Sequence, residues 1–258
     1  MGSPGIELVE SLLPALRKKE KVDLVIAQAE NVTEGRGITL QDFRRLQQAG
    51  IDFCTGGNWT IYRDAIFPAL EDPTEPIIRP ANYEDIPGKG YKTIKTTQGS
   101  VLVVSLLGQI VGRDADRPTA NPLQTIDKIL DHESAHHAAI VVNFHGDFSS
   151  EKRIIGYYLD GRVSMVVGDH WHVPTADADV LPKGTAHITD VGMCGSLDSS
   201  LGITLNSVIP RWRNGTPTRN VLETAGRQQF NAVLAQIDPR THLAKSVRHI
   251  QEIVPATN

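Results

Sequence analysis

The sequence predicts an α/β domain, and three observations carry that prediction. Short apolar runs alternate with amphipathic stretches through the first quarter of the chain. Longer apolar runs, "SVLVVSLLG" and "AAIVVNF", read as buried strands farther on. Glu, Asn or His recurs just after an apolar run, as it does where a site gathers at strand ends.

Taken in order, "GIELVESLLPALRKKE" has apolar residues at helical spacing and basic residues near its end, with Pro14 weakening the middle. "DLVIAQ" is a short strand and "AENVTEGRGIT" a polar loop. "TLQDFRRLQQAG" predicts a helix capped by Thr39 and stopped by Gly50. "IDFCT" is a strand leading into "GGNWT", and "YRDAIFPALED" is helical but interrupted at Pro68. "YKTIKTTQGSVLVVSLLG" reads as a hairpin turning near "TQGS". A helix over "NPLQTIDKILDHES" precedes the strand "AAIVVNFHGD". Then come helix "SEKRIIGYYLDG", strands "VSMVVG" and "AHITDV", and short helix "LNSVIPRWRNG". "FNAVLAQID" and "AKSVRHIQEIV" read as paired strands. Strands with helices, then hairpins, give a mixed sheet system flanked by helices in one domain, 1–258.

The 258 residues are 40% hydrophobic and 22% charged, enough for a substantial core. A net charge of −4 argues against long nucleic acid as a partner. Cys54 and Cys194 form no C-x-x-C pair, and no signal-like or membrane-length apolar run is present, so a reduced cytoplasmic chain is expected. "MGSPGI" departs from a myristoylation signal at Ile6. N-x-S/T matches at Asn31, Asn58 and Asn214 read as chance.

"VVGDHWHVPTAD" concentrates the functional question. In extended backbone His170 and His172 would face one side and make half a metal site; otherwise they are polar residues of a surface loop. Further candidates follow other apolar runs: Glu30 and Asn31, Asn58, and His145. Each alone has a bland reading as a turn or strand-end residue. Together, three His, one Glu and two Asn suit metals of intermediate softness.

Here the residues resemble a family. "AENVTEGRGIT" is similar to the G-E-N-x-x-G-G-x-G-I-T segment of bacterial metallophosphoesterases of the YmdB type, a branch of the calcineurin-like phosphoesterases. "TGGNWT" resembles their T-L-G-N-H-T. "IIRPANY", "NFHGDFSSEK" and "GYYLDGRVSMVVGDHWHVPTADADVLPKGTAHITDVGMCGSLDSSLGI" follow the family closely, over nearly the whole chain. The resemblance implies an αββα sandwich with two metal ions, Fe or Mn, and hydrolysis of small phosphodiesters such as 2′,3′-cyclic nucleotides or RNA ends. By motif position Glu30 would bridge both ions. Asn31 and His172 would serve one, and Asn58, His145 and His170 the other. Two ions can activate water and clamp phosphate oxygens. The expected partners are that small substrate and a second copy of the chain, without a membrane.

Two departures stand out. The family opens with a strand ending Gly-Asp, and that Asp would sit just upstream of Met1. The first strand is therefore expected to be missing from an N-terminally truncated chain, most simply through a start codon assigned at an internal Met. Trp59 stands where the family has a proton-donating His; an indole N–H donates a hydrogen bond but does not titrate. Ile61-Tyr62 replaces Trp-Asp, Asn143 replaces Asp and Asp147 replaces Glu. Two function classes follow: a phosphodiesterase with an impaired donor position, or a non-catalytic nucleotide- or metal-binding protein on the same fold. An amidohydrolase reading fits poorly, because that fold places H-x-H at its first strand.

Overall fold

The computed structural model describes residues 1–112, 115–133 and 137–256. Two facing layers of sheet lie between two layers of helix, and the alternation of side chains along the strands builds the layering. In β4 (Gly99–Leu107), Leu102, Val104 and Leu106 enter one buried cluster, while Val101 and Val103 enter another. The first cluster lies against α4 (Pro122–His132) and α5 (Ser149–Tyr158), through Ile126, Ile129 and Ile155. The second joins the sheets, where Val101 and Val103 meet Phe53 and Ile78. A third packs Ile6 and Leu13 of α1 (Gly2–Glu20) and Phe43 and Leu46 of α2 (Leu40–Gln48) against Cys54. Truncating a fully buried residue such as Leu102 or Leu106 to Ala would cost about 2–5 kcal/mol.

The larger sheet has six strands in the order β3-β4-β5-β6-β8-β7. β3 (Tyr91–Thr96) and β4 form the expected hairpin. β4, β5 (Ala139–His145), β6 (Met165–Asp169) and β8 (Ala186–Ile188) run parallel, and β7 (Asp179–Val180) pairs antiparallel with β8. The opposite layer holds the parallel pair β1 (Ile26–Gln28) and β2 (Phe53–Thr55). It also holds the antiparallel set β11-β10-β9, with β9 at Gly195–Ser196, β10 at Gln228–Ile237 and β11 at Ala244–Val254.

Several elements differ from the sequence reading. α1 runs unbroken through Pro14. The stretch around Pro68 is a 3-10 turn, Asp64–Ile66, followed by α3 (Phe67–Glu71). Pro68 sits in the first turn of α3, where its missing N–H has no intrahelical partner to lose, so it opens a helix instead of breaking one. "AHITDV" is a strand only to Ile188. α6 (Leu205–Asn214) spans its Pro210 and ends at Gly215 with φ 68°. The end of "NPLQTIDKILDHES" at Ser134 lies outside the described residues.

β1 and β10 leave a cavity of about 930 Å³ between them. β1 pairs only with β2, and β9 covers only Gln228 and Gln229 of β10, so among the described residues each strand turns an unpaired edge to this space. Val101, Val141 and Val167 of the larger sheet floor it, and Ile6 and Leu13 of α1 roof it. Among the described residues no helix is long and apolar enough to cross a membrane.

Candidate metal centre

The parallel register brings the strand ends together. Leu107 pairs with His145, and His145 with Asp169, at the C-terminal ends of β4, β5 and β6. By alternation His145 shares the inter-sheet face with Val141, and Asp169 shares it with Met165 and Val167. Glu30 follows β1 on the opposite layer, and Asn58 follows β2.

Ligand atoms of Glu30, His145 and His170 all lie within 4.8 Å of one another. Glu30 and His145 are each 1% exposed, so water does little to screen them. His145 Nε2 is 3.2 Å from Glu30 Oε1 and 2.9 Å from Asn58 Oδ1, while Nδ1 is 2.5 Å from Asp169 Oδ1. The His145 and His170 rings meet edge to face at 4.4 Å, and His170 Nε2 is 3.2 Å from Asp147 Oδ1. Gly57 permits this closeness: a Cβ there would meet His145 Cδ2 at 2.4 Å and Glu30 Oε2 at 2.5 Å.

Burial opposes a charged His145, but the Glu30 and Asp169 carboxylates outweigh it and push its pKa up to about 10. For Asp169, burial works upward and the His145 charge prevails, holding the carboxyl below its ordinary range. Burial, with the His145 charge second, moves His170 downward. Burial, the N-terminal ammonium and His170 push His172 down to about 3, leaving a neutral imidazole suited to a metal. His172 Nδ1 is buried without a hydrogen-bond partner among the described residues, and buried Glu30 Oε1 has only its charge contact with His145 Nε2 at 3.2 Å. A metal would satisfy such orphaned acceptors, and mixed N and O donors without thiolate suit Mn or Fe.

The sequence candidates are not equally placed. Glu30, Asn58, His145 and His170 converge. His172 lines the same cavity but stands outside the tight group; Asn31 lines that cavity too, and its amide donates to Gly35 O at 3.1 Å. His170 and His172 have φ of 102° and 64°. Their turn is therefore not the extended backbone from which a shared side was inferred, and such conformations cost about 1–3 kcal/mol each.

Trp59 donates its backbone N–H to Glu30 Oε2 at 2.9 Å, and its ring packs edge-on to Tyr62 at 5.0 Å with the Arg36 guanidinium 5.5 Å away. Asp169 was missed as a site residue, although its parity with Met165 and Val167 could have revealed it. A carboxylate on the second ring nitrogen fixes an imidazole for a metal, and Asp169 is so placed on His145.

The family model of the YmdB-like proteins matches residues 1–250. A 2′,3′-cyclic-nucleotide 2′-phosphodiesterase of Bacillus subtilis (strain 168) is 36% identical over 251 residues, covering 97% of this chain and 93% of the relative. The crystal structure of a hypothetical protein from Thermus thermophilus aligns with TM-score 0.89 and 33% identity, over 99% of this chain and 96% of that one. A novel phosphatase from Mycoplasma pneumoniae aligns with TM-score 0.91 and 28% identity, over 98% of this chain and 90% of that one. The likeness spans nearly the whole chain: the chain belongs to the YmdB-like protein family.

Proposed function

We propose that this chain is a metal-dependent phosphodiester hydrolase acting on small substrates of the 2′,3′-cyclic-nucleotide or RNA-end class. The observation that carries this reading is the buried convergence of Glu30, His145 and His170, with Asn58 on the same imidazole. Asn31 and His172 would join from the adjoining cavity wall around a second ion. The metals, Fe or Mn, would supply an activated water and neutralise charge on the phosphate. Asp169 holds the His145 ring through Nδ1, and Asp147 faces His170. Trp59 supplies no titrating proton for the departing sugar oxygen, so good leaving groups are favoured.

The reading also seats a further strand between β1 and β10. Two unpaired edges turned to one apolar cavity support it, since natural sheets seldom leave such edges open. Self-association through the exposed apolar face of Leu205, Ile209 and Trp212 on α6 belongs to the same reading, together with residence in the cytoplasm. Sedimentation of a Trp212→Glu variant unchanged from wild type would remove the self-association.

The deciding experiment assays the full chain, reconstituted with Mn or Fe, on an activated aryl phosphodiester. Turnover that a chelator abolishes and Glu30→Gln removes is expected. Bound metal and bound nucleotide without turnover would favour the second reading, a non-catalytic binding protein, for which Trp59 at the proton-donor position is the specific support.

A further inference from the structure

Lys152 of α5 has no exposed surface, although its charge is expensive to bury. Its Nζ donates to the main-chain O of Asp169 and to Asp190 Oδ2, the latter at 2.8 Å, and sits 3.9 Å from the centre of the Trp171 indole. Asp190 Oδ2 also accepts the Trp171 backbone N–H at 2.8 Å, and Oδ1 accepts the Gly192 N–H at 2.9 Å. The indole Nε1–H donates to Asp147 O at 2.9 Å. The contacts on the Asp169 carbonyl, the Trp171 N–H and the indole hold the short turn that carries His170 and His172, the Lys152 and Gly192 bonds fix Asp190 itself, and none reaches the imidazoles.

That turn needs holding. Both histidines are at positive φ, a conformation that surrounding structure must impose. A buried ion pair adds little net stability over an apolar pair of the same size, so stability alone does not account for this one. What it supplies is fixed geometry. An ammonium and a carboxylate grip the carbonyl before the turn and the N–H in its middle.

We propose that Lys152 and Asp190 are positioning residues that clamp the Asp169–His172 turn and so aim His170 and His172 into the metal centre. The proposal rests on the metal-centre reading. It predicts that the clamp acts on metal affinity separately from stability. Removing one charge strands the other in the interior and destabilises the fold. Removing both charges restores stability without restoring the grip.

The test compares full-length wild type, Asp190→Asn, and the double variant Lys152→Met with Asp190→Leu. Mn affinity is measured by calorimetry, Tm by thermal melting, and the imidazole nitrogens of metal-free protein by NMR. The double variant is expected to melt near wild type, bind Mn about 10–100-fold more weakly, and show shifted His170 and His172 resonances. Asp190→Asn retains an acceptor for the Trp171 N–H and is expected to recover most of the affinity. Wild-type Mn affinity in a folded double variant would overturn the clamp. Absence of Mn binding by wild type would sink the metal-centre reading instead. In that case unshifted imidazole resonances in the double variant would still overturn the clamp. If the double variant does not fold, Lys152→Met with Asp190→Asn takes its place, since it strands neither charge yet frees the Asp169 carbonyl, and wild-type affinity in it would overturn the clamp.

Discussion

His145 Nε2 and Glu30 Oε1 lie 3.2 Å apart although they come from opposite sheet layers, Glu30 after β1 and His145 at the end of β5. This contact ties the two layers at the site. In metal-free protein Glu30 is one of the charges that raise the His145 pKa. Glu30→Gln should therefore lower it, read by NMR titration of the imidazole. An unchanged titration would mean that Asp169 alone sets the charge.

Trp59 tests the leaving-group argument. Trp59→His should raise the rate on a 2′,3′-cyclic nucleotide more than the rate on an activated aryl phosphodiester, by up to about 10². Its backbone N–H already anchors Glu30 and should continue to do so in the variant. Equal changes in both rates would show that the indole acts by shape, through its packing with Tyr62 and Arg36.

The α2 cap gives a stability prediction independent of function. The Thr39 hydroxyl accepts the Asp42 N–H at 3.3 Å, and the Thr33 hydroxyl reaches Asp42 Oδ2 at 2.5 Å. Thr39→Ala should cost about 1 kcal/mol in denaturant unfolding, with the m-value unchanged.

Acid stability should depend on Asp177. Burial would raise its carboxyl, but hydrogen bonds from Thr175 and Thr189 prevail and hold its pKa at about 2. A carboxylate whose folded pKa is depressed stabilises the fold above the unfolded value, near 3.9, and that contribution is lost as pH falls through the folded value. Tm should thus drop more steeply from pH 5 toward pH 2 in wild type than in Asp177→Asn. Parallel curves would place the acid sensitivity elsewhere. Asp177 is partly exposed, so the difference will be small.

Much of the fold was legible because local rules and tertiary packing agree. "SVLVVSLLG" was readable as a buried strand, and strand alternation sends Val101 and Val103 into one cluster and Leu102 and Val104 into the other. Thr39 capped its helix as read. The convergence of Glu30, Asn58, His145 and His170 was readable because each lies at or just past a strand end, and parallel strands gather their ends. The pairing of His145 with Asp169 was not readable, because it depends on register between strands. Lys152 and Asp190 meet from a helix and a distant loop, and nothing local marks their contact. β7 and β9 are two residues each, too short for any periodicity to show.

The most direct test of the central claim is elemental analysis of the full chain after reconstitution with Mn or Fe, beside His145→Ala. The account predicts at least one tightly held ion per chain in wild type, held through Asn58, His145 and His170 with Glu30. His145→Ala should lose that ion while remaining folded. Well-folded wild type without metal, or a His145→Ala variant that keeps its full complement, would contradict the account.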